Sequence, residues 1–188
     1  RFVLLLADVM GASDSRQCEV VFSNYSKNYS LRNPRVHLES GQYDTAMPST
    51  LRTSEYGSAV FSKTAGAARG CVGVVTYDLY NESTKRADKK IAGMFSVPFD
   101  YNLYYIWHGI GVFPINTQCN SCLFDIMKNN EQRGFVRGRA EGPTLTYRDN
   151  DVTLTSAISN CSRATMTVEV QKMSPIQQKR CDGLSADH

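Results

Sequence analysis

The residues best suited to chemistry in this chain lie between Ser96 and Trp107, where Ser96, Pro98, Phe99, Tyr101, Tyr104, Tyr105 and Trp107 crowd hydroxyls and aromatic rings together. Aromatic faces attract cations through the ring quadrupole, and hydroxyl or backbone donors hold anions such as phosphate. One short stretch can therefore offer partners to a group that carries both charges. Tyr and Trp also suit a boundary between water and an apolar phase, because each joins an apolar ring to a polar edge. The plainer reading makes Phe95, Val97 and Tyr101 ordinary strand and core residues, since buried aromatics are common. The density of the cluster weighs against that reading for the group as a whole.

Other candidate sites carry less. Cys119-x-x-Cys122 has the spacing of a redox or zinc pair, but no second pair stands at zinc spacing and no βαβ pattern surrounds it, so it reads as a structural disulfide or unpaired thiols. His37, His108 and His188 are scattered and match no metal or nucleophile pattern. The run Lys85-Arg86-Ala87-Asp88-Lys89-Lys90 reads as a solvated hairpin tip, with a second use against anionic membranes or neighbouring protomers. Nothing supports an enzyme, a metal or a cofactor.

The elements that must position the aromatic cluster are short and β-rich. Runs at Cys18–Phe22, Val36–Glu39, Ser58–Phe61, Val72–Tyr80, Ile91–Val97 and Ile110–Phe113 favour strands, and Asn, Gly, Pro and Ser punctuate them. From about Gln118 to Asn129, Leu123, Ile126 and Met127 fall on one face of a single amphipathic helix. Strands resume at Thr144–Tyr147 and Val152–Thr155, and Ala164–Val170 alternates with period two. Regularly spaced strands and turns point to a mainly β sandwich. The expected division is an apolar segment over residues 1–17, a β-sandwich over 18–173 and a polar tail over 174–188.

Bulk properties narrow the function. At 188 residues, with 41% hydrophobic and 21% charged residues, the chain has enough apolar material for one core. A net charge of +3 is too small for a dedicated nucleic-acid binder and supports only mild attraction to anionic surfaces. No apolar run approaches the roughly 20 residues that span a bilayer as a helix, so any membrane role would be acquired on contact. Six cysteines and N-x-S/T sequons at Asn24, Asn28, Asn81 and Asn160 suit secretion through an oxidising route.

Met94-Phe95-Ser96-Val97-Pro98-Phe99-Asp100-Tyr101-Asn102-Leu103-Tyr104, followed by Trp107, resembles the actinoporin signature F-S-V-P-Y-D-Y-N-x-Y that precedes a tryptophan. Gly70-Cys71-Val72-Gly73-Val74-Val75-Thr76-Tyr77 is similar to the family's G-A-V-G-V-L-x-Y strand. Glu39-Ser40-Gly41 stands at its R-S-G turn, and Arg137-Gly138-Arg139 near its R-G-D. The resemblance runs from about Cys18 to Met173. It implies a sandwich of about ten strands flanked by one packed helix and a short, detachable N-terminal helix. It also implies a secreted cytolysin that binds phosphocholine headgroups, favours sphingomyelin, and forms homo-oligomeric pores in target-cell membranes.

Carried over position by position, the resemblance puts Ser40, Val72, Ser96, Pro98 and Tyr104 in the headgroup pocket, with Tyr104 stacked on the choline. Tyr101, Leu103, Tyr105, Ile106 and Trp107 would form the loop pressed into the membrane interface. Leu123, Met127 and Lys128 occupy positions where the family has three pocket tyrosines. A lysine there would repel choline, yet could attract a phosphate or an anionic lipid. Phe2, Leu5, Leu6 and Val9 would line the inserting N-terminal helix, unless that segment is the tail of a secretory signal. A helix from Phe2 to about Gln17 would be about 24 Å long, short of a roughly 30 Å hydrocarbon core. The alternatives are a lectin-like or lipid-headgroup-binding module of the same fold without pore formation, as in fungal fruit-body lectins, and a structural protein that kept the fold.

Overall fold

Period-two alternation produces the longest strands. Arg163–Lys172 (β12) and Gln17–Tyr25 (β1) bury every second side chain, and they pair with each other in parallel from Gln17 against Arg163 to Tyr25 against Gln171. This computed structural model describes residues 16–100, 102–130 and 133–173. The expected N-terminal helix lies outside them, except that Gln17 is already the first residue of β1 and so is not helical.

Between these two strands the chain adds Tyr29–Ser40 (β2), Gln42–Tyr43 (β3), Thr50–Leu51 (β4), Tyr56–Ser62 (β5), Cys71–Asn81 (β6), Arg86–Val97 (β7) and Trp107–Pro114 (β8). There follow the helix Ser121–Asn129 (α1) and the strands Phe135–Arg139 (β9), Leu145–Arg148 (β10) and Val152–Ile158 (β11). The described residues form two six-stranded sheets, ordered β10-β11-β12-β1-β5-β3 and β4-β2-β6-β7-β8-β9. Apart from β1 with β12, the pairings are antiparallel. The core fills the space between the sheets: Phe22 meets Tyr77 edge-on at 5.2 Å, and Phe61 stacks on Phe95 at 5.1 Å. At Gly93 an added Cβ would lie 3.3 Å from both Phe22 and Val168, so the absence of a side chain lets the sheets close there.

The apolar run Ile91–Val97 in β7 is buried on both faces, because one face meets the opposite sheet and the other meets α1. Asn120 caps the helix, its side chain accepting from the Leu123 N–H at 3.1 Å. Leu123, Phe124 and Met127 then pack onto Val74, Ala92, Met94 and Phe135 of the outer face. Lys128 sits in the last turn, where its charge complements the carbonyl end of the helix.

The basic run at residues 85–90 is not a solvated tip throughout. Asn81 Oδ1 accepts from the Ser83 and Thr84 N–H groups to build the turn, which Lys85 closes at φ 59°. Beyond it the chain is already β7: Lys89 Nζ bridges Asp149 and Asp151 at 2.6 Å each, and Lys90 is buried, 3.9 Å from Asp78. Burial opposes the charge on Lys89, but the two aspartates outweigh it and hold its pKa above the ordinary lysine value. One sequon changes meaning too. Asn24 is wholly buried, with Nδ2 donating to the carbonyls of Tyr29 and Leu51.

Candidate functional site: an aromatic cleft at one end of the sandwich

Sheet register brings distant sequence positions into a row. Ser40 pairs with Val72, Val72 with Ser96, Ser96 with Trp107, and Trp107 with Arg139. Directly opposed residues share a face of a sheet, and this face is the one that α1 covers further along the strands. Where the helix ends, the face is left open. There a cleft of about 260 Å³ is lined by Val72, Ser96, Pro98, Leu103, Tyr104, Tyr105, Trp107 and Lys128.

The loop over the cleft is fixed at both ends and free at its tip. At its start, Gly70 lies so close beneath Val97 and Pro98 that a Cβ would come within 2.0 Å of the Val97 carbonyl oxygen. Ser40 Oγ donates to the Gly70 carbonyl at 2.7 Å, so Ser40 braces the start of the loop and does not line the cleft. Arg16 Nε donates to the Phe99 carbonyl at 2.9 Å, and the Phe99 ring lies against Arg16 and Lys63, whose Nζ is 4.9 Å from its centroid. Asp100 then turns the chain, its side chain accepting from Asn102 N–H at 2.8 Å and its carbonyl from Tyr104 N–H at 3.1 Å. At the far end Ala140 N–H donates to the Ile106 carbonyl at 3.0 Å. Between these anchors Leu103, Tyr104 and Tyr105 are 71%, 64% and 50% exposed, an unusual display of large apolar groups.

Several expectations are corrected by this geometry. Ile106 is not an interface residue: it is buried in the main core, because the loop dives back into the sandwich one residue before β8 begins. Leu123 and Met127 do not reach the cleft either; both are buried in the packing of α1 on the sheet. Of the three helix positions, Lys128 alone lines it. Tyr101 lies outside the described residues, as do Phe2, Leu5, Leu6 and Val9. Val72, Ser96, Pro98, Leu103, Tyr104, Tyr105 and Trp107 are brought together.

Cations gather on the aromatic wall. Lys128 Nζ is 4.7 Å from the Trp107 centroid, and the Arg139 and Arg137 guanidinium carbons are at 5.3 and 5.8 Å. Arg139 also lies 3.8 Å from the Tyr105 centroid. Burial, followed by the nearby Arg137 charge, pushes the Lys128 pKa below its ordinary value. Arg137 and Arg139 come from β9, a strand absent from the sequence reading. The available signal was the spacing Arg137-x-Arg139, which puts both side chains on one face of any strand.

The remaining polar and sulfur groups show no comparable convergence. His108 is buried between the sheets with Nδ1 2.9 Å from Ser156 Oγ, and burial lowers its pKa to about 4. His37 Nε2 lies 2.8 Å from Glu39 Oε1 at the surface. Among the described residues Cys18, Cys71, Cys119, Cys122 and Cys161 form no disulfide with one another, and burial pushes Cys71 up to about 12, far from the reactive thiolate range.

Comparison with known proteins agrees with this architecture. The family described as sea anemone cytotoxic protein matches residues 7–172. The chain belongs to this family of actinoporins. Its members are toxins that are not enzymes. The chain is similar to bryoporin of Physcomitrium patens, with 30% identity over 159 residues that cover 84% of each protein. It is also similar to DELTA-thalatoxin-Avl1b of Actineria villosa, with 32% identity over 96 residues, half of this chain and 40% of that toxin. Among solved structures, the lipid binding protein Nakanori shares the fold at a TM-score of 0.65 and 12% identity, covering 84% of this chain and 71% of that one.

Proposed function

We propose that this actinoporin relative is a secreted cytolysin whose cleft takes a phospholipid headgroup while the Leu103–Tyr105 tip enters the membrane interface. The observation that carries the reading is the cleft itself, where exposed aromatic tips rise beside a pocket that combines the Ser96 hydroxyl, aromatic rings and a lysine. Rings with polar edges are stable at the headgroup level of a bilayer. Family membership supports the further steps, in which copies of the chain assemble on the target-cell membrane and Phe2, Leu5, Leu6 and Val9 enter it as a helix. Among the described residues no helix is long and apolar enough to cross a membrane.

A second reading, a headgroup-binding module that makes no pores, is favoured by α1. Leu123 and Met127 face the sheet where the family resemblance calls for pocket tyrosines, which leaves fewer rings around a bound cation. Dye release from phosphatidylcholine vesicles, with and without sphingomyelin, separates the two. Release together with membrane-bound oligomers supports the cytolysin; binding without release supports the module. Absence of both binding and release overturns the membrane reading.

A further inference from the structure

Three basic side chains crowd one tryptophan ring. Lys128, Arg137 and Arg139 approach Trp107 from α1 and from two positions of β9, and none of them is paired with a carboxylate among the described residues. Arg137 Nη1 is shielded from solvent and has no hydrogen-bond partner there, a state that costs free energy unless an acceptor arrives. Of the three rings that line the cleft, Trp107 and Tyr105 already face the protein's own cations, which leaves Tyr104 alone for a quaternary ammonium. A choline placed against Trp107 would sit among like charges a few ångströms away, where repulsion in a partly desolvated site is substantial.

We propose that the cleft selects the phosphate of an anionic phospholipid, such as phosphatidylserine, over a choline headgroup. This inference rests on the reading of the cleft as a headgroup site and deepens it. An anionic lipid supplies counter-charge that these three side chains lack among the described residues. Its phosphate can accept from Lys128 Nζ and from the Arg139 guanidinium, which offers a planar fork suited to paired oxygens. The Ser96 hydroxyl on the cleft floor supplies a further donor. Its net negative charge offsets part of the three positive ones, and Tyr104 with Leu103 would cover the apolar side of the glycerol. At the helix end Lys128 stands in the cleft where the family resemblance calls for a tyrosine, and this exchange of a ring for a charge moves the preference from cation capture to anion capture.

The test is co-sedimentation of the full chain with vesicles of phosphatidylcholine alone, phosphatidylcholine with sphingomyelin, and phosphatidylcholine with phosphatidylserine. Binding should be strongest with phosphatidylserine and should fall as salt is raised from about 0.1 M to about 1 M, which shortens the screening length from about 10 to about 3 Å. Lys128→Gln and Arg139→Gln should each weaken binding to the serine lipid about fivefold, and Lys128→Arg should retain it. Lys85→Gln, at the hairpin tip, removes the same charge from a surface outside the cleft and should change little. Equal loss from Lys85→Gln would mean diffuse charge attraction and would overturn the proposal. Inorganic phosphate should compete only weakly, because it lacks the apolar cover. Full displacement by free phosphate would assign the site to a soluble anion instead. Preference for the choline lipids with no effect of Lys128→Gln or Arg139→Gln would overturn the anionic choice and leave the headgroup reading standing. Failure to bind all three vesicles would overturn both. Unfolding midpoints of the variants, followed by Trp107 fluorescence, separate lost binding from lost folding.

Discussion

Acid should weaken this protein through one histidine. His108 is 1% exposed, and its Nδ1 lies 2.9 Å from Ser156 Oγ across the sandwich. Burial disfavours the imidazolium and lowers the pKa from 6.5 to about 4. Between these values the unfolded chain takes up a proton that the native state refuses, so stability rises with pH across this window. The contribution is fully present above pH 6.5 and is lost as pH falls towards 4. From the two pKa values the loss is about 2 kcal/mol at pH 5 and about 3 kcal/mol at pH 4. Set against a typical domain stability of about 5–15 kcal/mol, that is a large share. Urea unfolding of the wild type and of His108→Gln, followed at pH 7, 6, 5 and 4.5, measures it directly. The variant should start lower at pH 7, because the buried contact is altered, but should lose about 2 kcal/mol less on acidification to about pH 5. Carboxylates, including Glu82, which hydrogen bonds from Ser30 and Arg32 lower to about 2, are common to both proteins and cancel in the difference. Parallel loss in the two proteins would refute the assignment of acid sensitivity to His108.

The other expectations concern packing, the floor of the cleft and modification. Leu123→Ala and Met127→Ala should each cost about 2–5 kcal/mol in urea unfolding, because both side chains are buried between α1 and the sheet. A pocket role would instead show as weaker lipid binding at unchanged stability. Gly70→Ala should displace Pro98, which it would meet through the Val97 carbonyl oxygen at 2.0 Å, and should weaken vesicle binding more than Gly66→Ala, which has open space around it and whose φ of 74° costs stability instead. Peptide mapping of the protein expressed through a secretory route should find Asn24 unmodified, since its amide is buried and engaged twice, whereas Asn28 is exposed and can carry a glycan.

The long strands were legible because each buries one face and so alternates, or buries both and runs apolar. Ala164–Val170 and Ile91–Val97 illustrate the two patterns, and both lie within observed strands. The two-residue strands β3 and β4 carry no period to read. Strand β9, Phe-Val-Arg-Gly-Arg, hides behind its charges and glycine and is defined by its pairing with β8. In the cleft, local sequence marked the aromatic loop, but could not tell Ile106 from its exposed neighbours. Its burial depends on where the returning chain meets the core. The cation cluster needed three-dimensional register, since Lys128 and Arg139 are on different elements and converge only at Trp107.

The central claim is that this aromatic edge meets lipid, and Trp107, the chain's single tryptophan, reports on it without further labelling. Added to vesicles whose acyl chains are brominated near the headgroup, the wild-type protein should lose tryptophan emission in step with its sedimentation, and Tyr104→Ala should reduce both. Protein that pellets with the vesicles while Trp107 emission stays unquenched would place a different surface against the membrane and contradict the account.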